Sequence, residues 1–242
     1  MLAKRHNGTP AKGWWMSEKL DGVRAVWNGS DFISRNGKIL PAPEVMKANM
    51  PTGVTIDGEL FGGRGQFQKT VGGVKRGDWR GITYMAFDLI TGCAFEARQE
   101  ALSALRLPDW CKVVAQTKCA SEAHLEQYEK ELVAKGAEGV MIRKPQSYYK
   151  NSRSNDLLKI KRFQCSEAVV IGYEPGAGKH INRVGALLAK HAGQVFKIGT
   201  GLTNEQRETP PPVGSVVTFS FFEFTDSGKP RFPAFIGVRD YE

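Results

Sequence analysis

The chain has 242 residues, with 34 Lys and Arg against 25 Asp and Glu and a formal charge of +9. At 41% apolar and 24% charged residues it has the composition of a folded globular chain, which excludes disordered and collagen-like classes. No run approaches the roughly 18 apolar residues of a membrane span, so no membrane partner is expected, and neither a coiled coil nor a disulfide miniprotein fits.

The opening MLAKRHNGTPAKGWWMSEKL lacks the apolar core of a secretory leader. A cytoplasmic location is therefore expected for the chain as written, and a periplasmic one if a leader has been removed. In chain order, 23–28, 31–34, 54–60 and 82–89 read as short strands bounded by Gly, Asn and Asp. Helical periodicity follows at 96–106 and at 121–135, the second opening on Ser121 as an N-cap and stopping at Gly136. Residues 139–143 and 157–161 are strand-like. From 165 onward only short strands are predicted, at 167–174, 185–190, 194–198, 215–224 and 235–239. Five short strands in the last third of the chain fit a small barrel of the oligonucleotide-binding (OB) type. The fold class expected is α+β, with a domain of antiparallel sheets and helices over 1–164 and an all-β barrel over 165–242.

Charge changes at the same boundary. Residues 165–242 hold eight basic and eight acidic residues, so 1–164 carry the whole excess. It concentrates in 62–81 (GGRGQFQKTVGGVKRGDWRG) and in 143–162 (RKPQSYYKNSRSNDLLKIKR). The first reads as a Gly-rich basic loop, in which exposed N–H groups and mobile cations suit a phosphodiester backbone. The four cysteines, Cys93, Cys111, Cys119 and Cys165, have no zinc-ligand spacing. They read as free thiols, with a Cys111–Cys119 bridge open only to an oxidising compartment.

The segment SEKLDGVR (17–24) places Lys19 before a tight Asp21–Gly22 turn. A lysine nucleophile must shed its proton near neutral pH, which neighbouring cations or desolvation favour. Alone, this is also the sequence of an ordinary surface turn. Downstream, in order, come SRNGK (34–38), DGELFGGRGQF (57–67), YMAFDL (84–89), EGVMIRK (138–144) and LLKIKR (157–162). The series resembles the covalent nucleotidyltransferases: ATP-dependent DNA ligases above all, with RNA ligases and capping enzymes as cousins. The wording is most similar to the minimal Lig E-type ligases, and the resemblance spans nearly the whole chain.

That resemblance implies a nucleotidyltransferase domain followed by an OB domain, and an enzyme that seals 5′-phosphate/3′-hydroxyl nicks in duplex DNA through lysyl-AMP. An RNA ligase or capping-type activity is the alternative. Lys19 is then the nucleophile toward the α-phosphate of ATP, with Ser17 and Glu18 beside the nucleotide. Lys159 and Lys161, two apart on one strand, share a face and would neutralise the phosphate. Glu59 would bind the ribose, and Phe87 would stack on adenine. Glu138, with Glu59 and Asp57, would hold Mg2+, or Mn2+ in its place. Arg24 and Arg35 would contact AMP or the nick phosphate, and Arg64 and Lys75 the DNA backbone. Arg231 and Arg239, in KPRFPAFIGVRD (229–240), would orient the pyrophosphate from the second domain, and a monomer would clamp the duplex. Two departures stand out. Ser17 occupies the position where many ligases carry an adenine-reading glutamate, and the chain ends Arg239-Asp240-Tyr241-Glu242 where an Asp-Lys-like pair is usual. The run Phe219, Phe221, Phe222, Phe224 is expected to pack inside the barrel.

Overall fold

The structure, a computed structural model, describes residues 1–161 and 163–239; Arg162, at the end of LLKIKR, and the C-terminal Asp240, Tyr241 and Glu242 lie outside them. The chain divides into two compact units, Met1–Lys161 and the remainder.

In the first unit the elements run β1 (Leu2–Arg5), β2 (Trp15–Lys19), β3 (Val23–Trp27), β4 (Phe32–Ser34), α1 (Glu44–Ala48), β5 (Ile56–Phe61) and α2 (Phe67–Arg76). They continue as β6 (Thr83–Leu89), α3 (Phe95–Ala104), β7 (Cys111–Val113), β8 (Thr117–Lys118), α4 (Glu122–Ala134), β9 (Gly139–Arg143) and β10 (Arg153–Lys161). Two five-stranded sheets result, ordered β1-β10-β9-β2-β8 and β4-β3-β5-β6-β7. Pairing is antiparallel except for β1 with β10 and β6 with β7.

Each sheet hides one face, as period-2 alternation requires. In the first sheet Met16, Val140, Ile142 and Leu158 pack with Leu125 of α4. In the second, Trp27, Ile56, Tyr84 and Ala86 enclose Phe32, Trp79 and Leu102 in an aromatic-rich core. The residues between them in sequence, Ser17 and Lys19, Met141, Lys159 and Lys161, then Arg24, Glu59 and Phe87, therefore fall on the opposite faces.

Helix α4 starts as expected, with Ser121 Oγ accepting from His124 N at 3.1 Å. The basic segment 62–81 departs from expectation, because its centre is helix α2 rather than a loop. Gly72 and Gly73 lower its intrinsic propensity, but Thr70, Gly73 and Val74 are buried, and packing on β3 and β5 outweighs the cost. Gly77, left-handed at φ 73°, ends the helix.

The second unit contains β11 (Gln164–Pro175), β12 (Val184–His191), β13 (Gln194–Ile198), α5 (Asn204–Glu208), β14 (Val216–Phe221) and β15 (Ala234–Val238). Its sheet runs β13-β12-β11-β14-β15, and a bridge from Thr200 to Ala234 brings its two edges together. Val170, Leu187, Ile198, Phe219 and Phe221 fill its core. The other two phenylalanines of the aromatic run do not join them. Beyond the end of β14 the chain turns, leaving Phe222 against the Arg231 guanidinium and Phe224 stacked 5.4 Å from the His191 ring. All four cysteines are free; burial pushes the Cys111 thiol up to about 12, so it stays protonated and inert. Among the described residues no helix is long and apolar enough to cross a membrane.

Candidate active site

Between the outward faces of the two sheets of the first unit lies a cleft lined by Ser17, Lys19, Met141 and Lys159 on one side. Arg24, Glu59 and Phe87 form the other side, and Arg35 and Arg153 also reach it. Strand register explains the first wall. Ser17 pairs with Met141 and Met141 with Lys159; Lys19 pairs with Gly139 and Gly139 with Lys161. Gly139 puts no side chain between the two lysines. Into that gap comes the buried Glu138 carboxylate, 2.5 Å from Lys19 Nζ and 3.3 Å from Lys161 Nζ. Lys19 is thus ion-paired at rest, with a carboxylate partner that the sequence, which pointed to neighbouring cations or desolvation, did not reveal. Lys159 is held below the ordinary lysine range, by burial first and then by Lys161 and Lys19.

On the facing wall Arg24 and Glu59 are cross-strand partners on β3 and β5. Asp57 accepts from Arg24 Nε at 2.9 Å and from Arg24 Nη2 at 2.5 Å, and from the Tyr149 hydroxyl at 2.8 Å. Burial would disfavour the Arg24 charge, but Asp57 more than restores it and holds the guanidinium above its usual range. Burial, reinforced by Asp57, keeps the Tyr149 phenol protonated and donating. Arg24 is fixed in this way with its guanidinium 5.8 Å from the centre of the Phe87 ring. Glu59 is pushed up to about 8, by burial against the pull of Lys19 and Arg24.

Phe87 owes its position to a bulge. Asp57 pairs with Asp88 and Gly58 with Ala86, which leaves Phe87 as the extra, unpaired residue of β6. Gln99 of α3 donates to the Phe87 carbonyl at 2.8 Å and steadies it. The Asp21–Gly22 turn is equally constrained. A Cβ on Gly22 would run into the Leu60 carbonyl and lie 2.9 Å from Glu59 Cγ. Gly22→Ala should therefore force the start of β3 away from β5 and slow attachment of nucleotide to the protein by about 10-fold or more. Labelled-nucleotide incorporation measures this, and an unchanged rate would mean that the close approach has no role.

Several expected residues occupy other places. The trio Asp57, Glu59 and Glu138 does not form a metal-binding cluster among the described residues. Asp57 in particular is a correction, since both its oxygens are engaged by Arg24 and Tyr149. Glu18 does line the cleft, but its carboxylate is engaged by Arg64 in a two-pronged pair, at 2.8 and 2.7 Å. Arg64 also reaches the Lys135 carbonyl at 3.4 Å, so it ties β2 to the end of α4. Lys75 is exposed in the last turn of α2. Arg231 and Arg239 belong to the second unit, where they pair with Glu223 and Glu167 respectively. Sequence reasoning missed Gln116 and Arg153 at the cleft and Tyr149 on the Arg24–Asp57 pair beside it. Only the SYYKNSRS stretch, which joins two tyrosines to an arginine, could have pointed to any of them.

A family model described as the ATP dependent DNA ligase domain matches residues 1–161, and one described as a DNA ligase OB-like domain matches 175–239. A DNA ligase of Haemophilus influenzae is 36% identical over 97% of this chain and 90% of its own. A solved structure from a structure–function study of Lig E DNA ligases, on DNA binding with a minimal scaffold, superposes with a TM-score of 0.91. It is 38% identical and covers 99% of this chain and 98% of its own. A Chlorella virus DNA ligase–adenylate structure matches 98% of both chains at 27% identity, with a TM-score of 0.55. Two matched domains in the right order and a full-length match in sequence and backbone place the chain in the ATP-dependent DNA ligase family, among its minimal Lig E-type enzymes.

Proposed function

We propose that this chain, acting as a monomer, seals 5′-phosphate/3′-hydroxyl nicks in duplex DNA with the residues of the first-unit cleft. The observation that carries this reading is Lys19 Nζ lying 2.5 Å from the Glu138 carboxylate, beside Lys159 and Lys161 and across from Arg24, Glu59 and Phe87. In the first step the Lys19 Nζ lone pair attacks the α-phosphorus of ATP. Glu138 Oε2 first takes one proton from the Lys19 ammonium and so frees that lone pair; the P–N bond then forms as the bond to pyrophosphate breaks, and the second proton lost by the nitrogen leaves with pyrophosphate. In the second step the nick 5′-phosphate displaces Lys19 and takes up AMP. In the third the 3′-hydroxyl attacks that phosphate, a phosphodiester forms and AMP departs.

Positioning and charge neutralisation supply most of the catalysis in such transfers. Lys159 and Lys161 offset charge on the α-phosphate. Arg24, its fork oriented by Asp57 and Tyr149, is suited to planar, two-point contact with phosphate or ribose. Phe87 and Met141 form opposite sides of a slot for the base, with Glu59 toward the ribose. Glu138 oxygens are hard donors of the kind Mg2+ takes together with substrate phosphates, and Glu59 joins them once deprotonated. When bound, the ion would polarise the phosphoryl group and shield its charge. Arg35 and Arg153 serve the nick phosphate, Lys75 the duplex backbone, and Arg231 and Arg239 the pyrophosphate.

The test supplies the purified protein with Mg2+, ATP or GTP, and duplexes carrying a single nick in DNA or RNA. The expected result is an AMP adduct on the protein and sealing of the DNA nick. Sealing of RNA alone, or an adduct with GTP alone, would refute the proposal.

A further inference from the structure

We infer that Gln116 is the residue that recognises the 6-amino group of adenine and so selects ATP; the inference rests on the cleft being the nucleotide site proposed above. The register of the first sheet leads to it. β2 and β8 are antiparallel, with Trp15 opposite Lys118 and Met16 opposite Thr117. Carried one residue further, that register puts Gln116 across from Ser17. Ser17 pairs with Met141 and Met141 with Lys159, so four residues form one row across the sheet. All four line the cleft. The row is chemically polar along its length, with an ammonium at the Lys159 end and a neutral amide at the Gln116 end. Phosphates belong at the first end and an uncharged base at the second.

The base end has the right walls. Val114, which also lines the cleft, donates its N–H to the Ala86 carbonyl at 2.8 Å, next in sequence to Phe87. Gln116 therefore lies close to the aromatic ring and the Met141 side chain that would sandwich a purine. Ser17, beside it in the row, has a short side chain and leaves room for the residue just before β8 to reach the edge of the base.

The amide is also oriented for the choice. Gln116 Nε2 faces the Val114 carbonyl at 3.5 Å, the outer limit of a hydrogen bond, and no described residue donates to its Oε1. An acceptor at this point matches the 6-amino donor of adenine. To meet the 6-oxo group of guanine or hypoxanthine the amide would have to turn over, which would set Oε1 against the Val114 carbonyl and leave that pair of acceptors facing each other at a half-buried site.

The experiment is a two-by-two comparison of kcat/KM for adduct formation. It sets the unaltered protein and Gln116→Ala against ATP and purine riboside triphosphate, which lacks the 6-amino group. Gln116→Ala should lower the value for ATP about 10-fold, chiefly through KM, and leave the value for the purine analogue unchanged. Gln116→Met, of similar volume but without an acceptor, should repeat the loss and guards against a folding defect in the alanine variant. Gln116→Glu, which keeps an acceptor, should keep the preference for ATP over inosine triphosphate. Equal losses with both nucleotides, or no loss with ATP, would overturn the assignment. If the unaltered protein forms no adduct with ATP at all, the nucleotide site itself is misassigned, a distinct and recognisable failure.

Discussion

Lys19→Ala protein, incubated with ATP and Mg2+, should gain no AMP by mass spectrometry, with adduct formation reduced by about 1,000-fold or more. Lys19→Arg should fail equally, because a guanidinium keeps its proton and is no nucleophile. The side chain points into the cleft from the last residue of β2, so its loss removes an ion pair with Glu138 but no core contact. The variants should therefore fold. Chemistry supplies an internal control. A nick that already carries a 5′-adenylate needs no covalent lysine, only the placement of its ends, so both variants should seal it at a measurable rate. An AMP adduct persisting on Lys19→Ala would reject the nucleophile assignment, whereas failure on the adenylated nick as well would point to damage beyond Lys19.

Asp88→Ala should be the most destabilising single change near the site. Asp88 is fully buried between two guanidiniums, accepting from Arg98 Nε at 2.6 Å and pairing with Arg143 Nη2 at 3.1 Å. Arg98 is itself fully buried and Arg143 almost so, and both lie over the Phe95 ring. Removing the shared carboxylate leaves two buried cations facing each other, and breaking such a group costs about 3–5 kcal/mol. For a unit of this size that corresponds to a fall in Tm of roughly 10 °C. All five tryptophans lie within residues 14–110, so intrinsic fluorescence follows the first unit without interference from the second. Because Asp88 adjoins the Phe87 bulge, KM for ATP should rise as well. A fluorescence-detected Tm unchanged within a degree or two would show that the triad is not needed for stability.

Much of the site could be read from residue order. Lys19, Arg24, Glu59, Phe87, Glu138, Lys159 and Lys161 belong to short motifs whose chemistry is local, and alternation on β10 alone puts its two lysines on one face. The strands of the second unit were also legible, because hydrophobic alternation between Gly- and Pro-rich turns is a local signal. Helix α2 was not, since its glycines and charges describe a loop until burial on β3 and β5 is counted. Strands β1 and β2 were missed for a related reason: LAKR and WMSEK alternate too weakly to stand out, and their pairing with β10 and β9 defines them.

By itself, then, the sequence determined the order of motifs, the α+β character and the position of the charge excess, all of which depend on neighbours along the chain. Tertiary structure decided which carboxylate serves which cation. Asp57 and Glu138 look interchangeable as acids near a lysine, yet one orients Arg24 and the other holds Lys19. It likewise decided that Glu18 faces Arg64 and that Gln116 shares the cleft with Ser17. These outcomes follow from strand register and a single bulge, in which a shift of one residue exchanges the two faces of a strand. No property of an isolated residue records that choice.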